Sequence, residues 1–357
     1  MSTTEIQENN EDWRLERDGG GDFTAKELII DDSQIYLNSY VSNHLPQMTK
    51  TDEKGQYIKP ESTANAGGKG RNKVEYSVII STDKNTPQWA KQLSPFDVAM
   101  LCCSCSIWLN GNDIVYPDVL YSQWTNGNRL RQNGDTREMI AESLLKLSSI
   151  RLDYDYTQEI KRKYPTFTCK ATVEGHIIEL SPATIEKSGH KIKAFRILTE
   201  PPILTHARSL GQIITVKKDL LTINDVHHYQ EWDDHQALYI EKKELLTSVT
   251  QTTPERALVR DYLIKRIQEY KNYIAKFTTI TSGKRKAGED KKKPQPKPFN
   301  KIILETMFTE LEITDPSRKS KLKSYVIDCM DNFELKEIIK NYSTEKNNGI
   351  KVVIFDV

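Results

Sequence analysis

A chain of 357 residues, 28% charged and 37% apolar with a net charge of +1, is long enough for two or three compact domains and has an ordinary soluble composition. No apolar run approaches the roughly 20 residues of a membrane span, and the polar, acidic stretch Met1 to Gly21 has no secretory pattern. A cytoplasmic protein without a membrane partner is therefore expected, and the near-neutral charge leaves nucleic-acid contact to local patches.

Residues 1–72 read as an acidic N-terminal extension, largely disordered. Glu5, Glu8, Glu11, Asp12, Glu16, Asp18 and Asp22 stand there against Arg14 and Arg17, before the run Gly19-Gly20-Gly21. Leu28-Ile29-Ile30 is a short apolar patch, and Gln47 to Asn72 reads as loop or linker. Lys73 to Thr82 alternates and carries β-branched residues, the pattern of a strand. Ser94-Pro95-Phe96-Asp97 combines an N-cap serine, proline at the first helical position and an aspartate able to bond back. The helix it opens runs to about Trp108 and stops at Asn110-Gly111-Asn112. Ile114 to Tyr116 is strand-like, Pro117 opens a second helix, and Asn126-Gly127-Asn128 makes a turn. Asp135-Thr136-Arg137-Glu138 starts a third helix with Ile140, Leu144 and Leu147 on one face. Strands follow at Arg151–Tyr156, Thr166–Val173, Ile177–Leu180 and Lys191–Leu198, the last two joined through Lys187-Ser188-Gly189-His190 as a wing. Another strand is expected over Gln212–Val216, closing a first winged-helix domain over residues 73–221. Cys102, Cys103 and Cys105 sit among apolar residues without paired C-x-x-C spacing, so they read as buried small hydrophobes in a reducing compartment, not as zinc ligands.

Residues 222–252 read as a connector with some helix. A second domain over 253–357 opens at Thr253-Pro254-Glu255-Arg256 with a long helix to about Phe277. A basic insert at 281–298 has lysines and prolines that exclude a packed core. A helix is expected from Ile302 to Leu311, and another capped by Asp315-Pro316-Ser317 with Leu322, Tyr325, Cys329 and Phe333 inward. The wing is then Leu335–Tyr342 and Ile350–Phe355, turning through Asn347-Asn348-Gly349. The fold class that results is α+β, two tandem winged-helix domains behind the extension.

Helix, helix, basic helix and hairpin is an order suited to double-stranded DNA. Arg318 is the expected base-edge contact, since a guanidinium can bond guanine bidentately. Lys319, Lys321 and Lys323 are expected at phosphates, and Ser317, with Lys346, Asn347 and Asn348 of the wing, is expected at the DNA. In the first domain the corresponding surface is Arg129, Arg131, Gln132, Asn133, Thr136 and Arg137. Lys284, Arg285, Lys286, Lys291, Lys292 and Lys293 suit a segment that tracks the DNA backbone. His227, His228 and His235 lack a ligand framework, so no metal is expected. Gly67-Gly68-Lys69-Gly70 and Ser282-Gly283-Lys284 lack Walker spacing, and no Ser-His-Asp or Cys-His arrangement is legible. No cofactor and no enzymatic activity are expected.

Three stretches carry a resemblance: SPFDVAMLCCSCSIWLNGN, QIITVKKDLL and TPERALVRDYLIKRIQEYKN, followed by RKSKLKSYVIDCM as the basic helix. In these and in the order of elements over roughly residues 90–357, the chain resembles the replication initiators of iteron plasmids and related phages. That resemblance implies tandem winged helices that bind repeated origin sequences, melt adjacent AT-rich DNA and recruit a host helicase or helicase loader. It also implies a homodimer that converts to monomer through the first domain. The acidic extension and the lysine-rich insert depart from the family's pattern. Competing readings are a transcriptional repressor of a mobile element, a metal-dependent nuclease centred on His227 or His228, and a protein-interaction scaffold.

Overall fold

The computed structural model describes residues 14–16, 22–24, 33–66, 74–127, 134–187, 189–233, 235–236, 238–282, 300–347 and 350–357. The chain is α+β and divides into two compact units, Met1–Lys218 and Asp219–Val357. Among the described residues no helix is long and apolar enough to cross a membrane.

The first unit is organised by a helix that is apolar on all sides, and such a helix must be surrounded. Its strands and helices, in chain order, are β1 (Arg14–Glu16), β2 (Asp22–Thr24), β3 (Ser33–Leu37), α1 (Tyr40–Met48), β4 (Glu61–Ala66), β5 (Val74–Thr82), α2 (Pro95–Leu109), β6 (Ile114–Val115), α3 (Pro117–Thr125) and α4 (Gly134–Ser149). They continue as β7 (Ile150–Asp155), α5 (Thr157–Lys163), β8 (Thr172–His176), β9 (Leu180–Lys187), β10 (His190–Ile197), α6 (Pro202–Leu210) and β11 (Ile213–Lys217). The apolar helix is α2. The expected capping box starts it: Ser94 Oγ accepts from Asp97 N at 3.3 Å and Asp97 Oδ2 accepts from Ser94 N at 2.7 Å. Such a cap is worth about 1 kcal/mol. Met100, Leu101, Cys102, Cys103, Cys105 and Ile107 are all buried, and burial pushes the Cys105 thiol up, which makes it a poor nucleophile. Two serines survive inside because each hydroxyl donates to its own helix, Ser104 to Met100 O at 2.9 Å and Ser106 to Cys102 O at 2.8 Å.

Three sheets surround this helix system, in the orders β2-β1-β9-β10-β6, β4-β5-β7-β8 and β11-β3. The largely disordered extension expected over residues 1–72 is thus corrected at Arg14–Glu16 and Asp22–Thr24, which pair as β1 and β2, and over most of the stretch from Ser33 onward. β3 pairs along its length with β11, and Ile35, Tyr36, Leu37, Val41, Leu45 and Met48 are buried. Each apolar run there is only a few residues long, so the sequence pattern is weak, while pairing with distant β11 buries it. The linker expected over Gln47–Asn72 contains β4, and residues 67–73 lie outside the described residues. The expected wing is also simpler than the sequence suggests. β9 and β10 form the hairpin through residues 187–190, whereas β7 and β8 belong to the separate sheet with β5.

That separate sheet is locked by one carboxylate. Glu159 of α5 accepts from Tyr154 OH at 2.8 Å, lies 3.1 Å from His206 Nε2, and accepts from Gln212 Nε2 at 2.9 Å. The His206 ring is packed edge-on against Tyr154 and Tyr156, at 4.6 and 4.9 Å between centroids. Burial alone would raise the Glu159 carboxyl, but the bonds from His206, Gln212 and Tyr154 outweigh it and hold it below its ordinary value.

The second unit holds β12 (Asn224–Asp233), β13 (Leu238–Val249), α7 (Pro254–Ser282), β14 (Lys301–Ile303), α8 (Leu304–Glu310), α9 (Pro316–Leu335), β15 (Asn341–Asn347) and β16 (Ile350–Asp356). Among the described residues β12 and β13 pair only with each other, and the remaining strands of this unit form a sheet in the order β14-β16-β15. The connector with some helix expected at 222–252 is therefore corrected to a long antiparallel hairpin. Both its faces carry polar residues, so it has no apolar alternation to read. Two smaller corrections follow from chain direction. Lys301–Ile303 is a strand before α8, and α9 continues to Leu335, so the hairpin begins at Asn341, not at Leu335.

One topology occurs in both units. α2-β6-α3-α4 followed by β9-β10 matches α7-β14-α8-α9 followed by β15-β16, and in each the last strand lies between the first and the middle one. In the first unit β7, α5 and β8 are inserted between the third helix and the hairpin.

Because the Glu159 carboxyl is held low when folded, its stabilisation is present above the unfolded carboxylate value of about 4.3 and is lost as pH falls through the folded value. Glu159→Ala leaves three donors without an acceptor and is expected to cost about 2–4 kcal/mol. Amide exchange in β7, α5 and α6 should quicken at neutral pH, and its difference from the parent should shrink as pH falls below about 4.

Candidate nucleic-acid interface

The strongest candidate surface is on α9. Asp315 caps it by accepting from Ser317 N at 2.8 Å, and Pro316 occupies the first helical position. Leu322, Tyr325, Val326, Cys329, Met330 and Phe333 are buried on one face, as the three-to-four spacing of the apolar residues predicts. Opposite them, in the first two turns, Ser317, Ser320, Lys321 and Ser324 are exposed. Three short hydroxyl side chains and one lysine leave the helix backbone open to close approach.

The cations expected at DNA are not all idle. Arg318 donates to Glu255 of α7 at 2.9 Å and lies 3.7 Å from Asp315. Lys319 and Lys323 both reach Glu305 of α8, each at 3.1 Å. Those two hydrogen bonds hold the Glu305 carboxyl below its ordinary value. Lys321 is exposed with no carboxylate within salt-bridge distance among the described residues. On the hairpin β15–β16, Lys346 stands directly opposite Lys351. Like charges facing across strands repel, and an anion between them would relieve it.

Other expected contacts are placed as follows. Arg129, Arg131, Gln132, Asn133, Lys284, Arg285, Lys286, Lys291, Lys292, Lys293 and Asn348 lie outside the described residues, as does the side chain of Asn347. Thr136 and Arg137 are in the first turn of α4, where Arg137 pairs with Asp118 at 2.8 Å. The exposed side of α4 carries Asp135, Glu138, Met139, Glu142 and Leu145, a face that repels phosphate. Ser320, Ser324 and Lys351 escape the sequence reading. The serines carry no charge, and Lys351 becomes notable only once the register sets it against Lys346.

The far half of α9 is closed by the β12–β13 hairpin through Asp331, whose side chain is 2% exposed. Its carboxylate accepts from Lys243 Nζ at 2.6 Å and from Tyr342 OH at 2.8 Å, and lies 3.3 Å from His228 Nε2. Lys243 also pairs with Glu334. Asn332 brackets the hairpin root, donating to Asn224 O and accepting from Asn224 N, both at 2.8 Å. His227, on the other face of β12, lies 3.2 Å from Glu244.

No family model matches the chain, and no curated protein matches it. Among solved structures the chain is similar to domains 2 and 3 of RctB, solved as selenomethionine derivatives. The TM-score is 0.37 at 9% identity, over 88% of this chain and 96% of that one. A likeness at that level leaves function to the residues themselves.

Asp331→Ala would leave Lys243 and the Tyr342 hydroxyl without their shared acceptor, a loss of about 2–4 kcal/mol. Amide protection should fall over 224–249 while α7 and α9 stay protected. Equal loss throughout the unit would mean that the hairpin is part of its core.

Proposed function

We propose that the protein is a non-enzymatic, sequence-specific double-stranded DNA-binding protein built on two tandem winged helices, and that it initiates replication at repeated sites. The observation that carries this reading is the open N-terminal half of α9. It is a third helix with a buried apolar face, an exposed Ser317-Ser320-Lys321-Ser324 stripe and Arg318, Lys319 and Lys323 on its flanks. A helix so surfaced fits a major groove. The helix–strand–helix–helix–hairpin order and the central place of the last strand support the winged-helix assignment in both units. Lys346 and Lys351 would grip phosphate from the wing, and the lysines of 284–293 would add sequence-independent, salt-sensitive affinity.

The two units would not contribute alike. The third helix of the first unit shows Asp135, Glu138 and Glu142 where the second shows serines and lysine. The second unit would therefore supply most DNA affinity, and the first would act mainly through protein contacts, such as a second copy or a helicase or its loader.

Glu255 and Glu305 compete with phosphates for the same cations. Glu305→Gln should release Lys319 and Lys323, tightening binding about two- to fivefold at low salt and steepening the salt slope. Arg318→Ala should cost about 1–3 kcal/mol and relax preference at one base pair. Lys321→Ala should weaken all sequences alike and flatten the slope by about 1. The deciding measurement is binding of the full chain to labelled DNA from around its own gene across a salt series. A footprint over direct repeats beside an AT-rich tract supports initiation, and one over a promoter palindrome supports repression. Absence of binding at low salt overturns the DNA reading.

A further inference from the structure

The β12–β13 hairpin has an end that the DNA reading does not use. Beyond its root, cross-strand register places Trp232 opposite Tyr239 and Gln230 opposite Glu241. These four residues lie on the same face as His228 and Lys243, which meet Asp331, but further out. All four are exposed. Trp232 is 49% and Tyr239 65% accessible, with their rings edge to face at 5.1 Å, and the Glu241 side chain is 77% accessible. An isolated two-stranded hairpin is marginal in water, and two large aromatics left open at one end of it mark a contact surface.

The charge around that end decides what it fits. From Asn224 to Val249 the sequence has six carboxylates, Asp225, Glu231, Asp233, Asp234, Glu241 and Glu244, against Lys242 and Lys243. Both lysines are engaged, Lys242 by Glu231 and Lys243 by Asp331 and Glu334. Exposed aromatics can stack on unpaired bases, but nucleic-acid sites of that kind need a positive track for the backbone. This hairpin has a negative one. A second hairpin of the same kind would meet it with like charge. Aromatic faces beside a carboxylate suit a cation, and arginine best, since its planar guanidinium can stack on a ring while bonding a carboxylate.

We propose that the Trp232–Tyr239–Glu241 face is a docking site for an arginine-rich segment of a partner protein. A guanidinium lies on the aromatic pair and is held by Glu241, and the surrounding carboxylates supply the long-range attraction. The site shares no residue with the open half of α9 on which the DNA reading rests.

The test uses the full chain and a fluorescein-labelled oligoarginine peptide, read by anisotropy at low and high salt. Binding should weaken about tenfold or more in the Trp232→Ala/Tyr239→Ala double variant. Trp232→Phe/Tyr239→Phe, which keeps two ring faces, should retain most of it, and Glu241→Gln should weaken it several-fold. Glu53→Gln/Glu61→Gln, exposed carboxylates with no part in either proposed surface, should leave it unchanged. Amide exchange at the hairpin root, unaltered in all variants, separates lost contact from lost fold. Equal peptide affinity in parent and double-alanine variant overturns the proposal. So does labelled oligo(dT) binding that the double-alanine substitution abolishes, because the surface would then stack bases.

Discussion

A carboxylate that is taken out of water must be repaid by nearly every hydrogen bond it can accept. Asp331 meets part of that demand through Oδ1, which accepts from Lys243 of β13 and Tyr342 of β15, while Oδ2 accepts no hydrogen bond and has His228 of β12 at 3.3 Å, so three strands are drawn onto one helix. The second unit's surface depends on this. Among the described residues the hairpin has no neighbouring strand on either edge, so its side-chain contacts with α9, through Asp331, Asn332 and Glu334, are what hold it there. With it, α9 is divided lengthwise. One face is core, the far half of the other is hairpin-covered, and the stretch from Ser317 to Ser324 on that face is left to solvent. Which part of this helix face stays open is thus linked to a buried charge 7 to 14 positions along the chain from the exposed stripe Ser317–Ser324.

The local signals were legible wherever the physics is local. Ser94 and Asp315 are N-caps because a short oxygen-bearing side chain precedes a proline at the first helical position, and both cap as the sequence implies. Leu322, Tyr325, Cys329 and Phe333 are buried because their spacing allows no other shared face. What could not be read is long-range or polar. β3 is held by β11, far along the chain. β12–β13 alternates nothing apolar. β14 is three residues long and reads as the start of the helix after it. At the candidate site the basic residues were visible, but not their partners. Glu255 is 63 positions from Arg318, and Glu305 lies 14 and 18 positions from the lysines it bridges.

The repeated topology adds a comparison that neither unit offers alone. Both third helices bury an apolar face of similar spacing, Ile140, Leu144 and Leu147 in one and Leu322, Tyr325 and Cys329 in the other. The core requirement is therefore the same, and the exposed face is free to differ. It differs in sign: carboxylates with Met139 and Leu145 on α4, serines with lysine on α9. Packing explains what is alike between the units, and the proposed difference of partner would account for what is not.

The near-zero net charge then has a physical account. Were the chain to bind DNA as proposed, every exposed cation would raise affinity for all sequences equally, which works against discrimination. Pairing Arg318 with Glu255, and Lys319 and Lys323 with Glu305, sets an intramolecular carboxylate against each phosphate. Exposed pairs of this kind are individually weak, so they yield to a site that offers a well-placed base edge or several phosphates at once. They resist one that offers a single loose phosphate. On the proposed reading the carboxylates beside α9 would act on the difference between specific and non-specific binding more than on either alone, and a helix with the same lysines but no Glu255 or Glu305 would bind more tightly and choose less well.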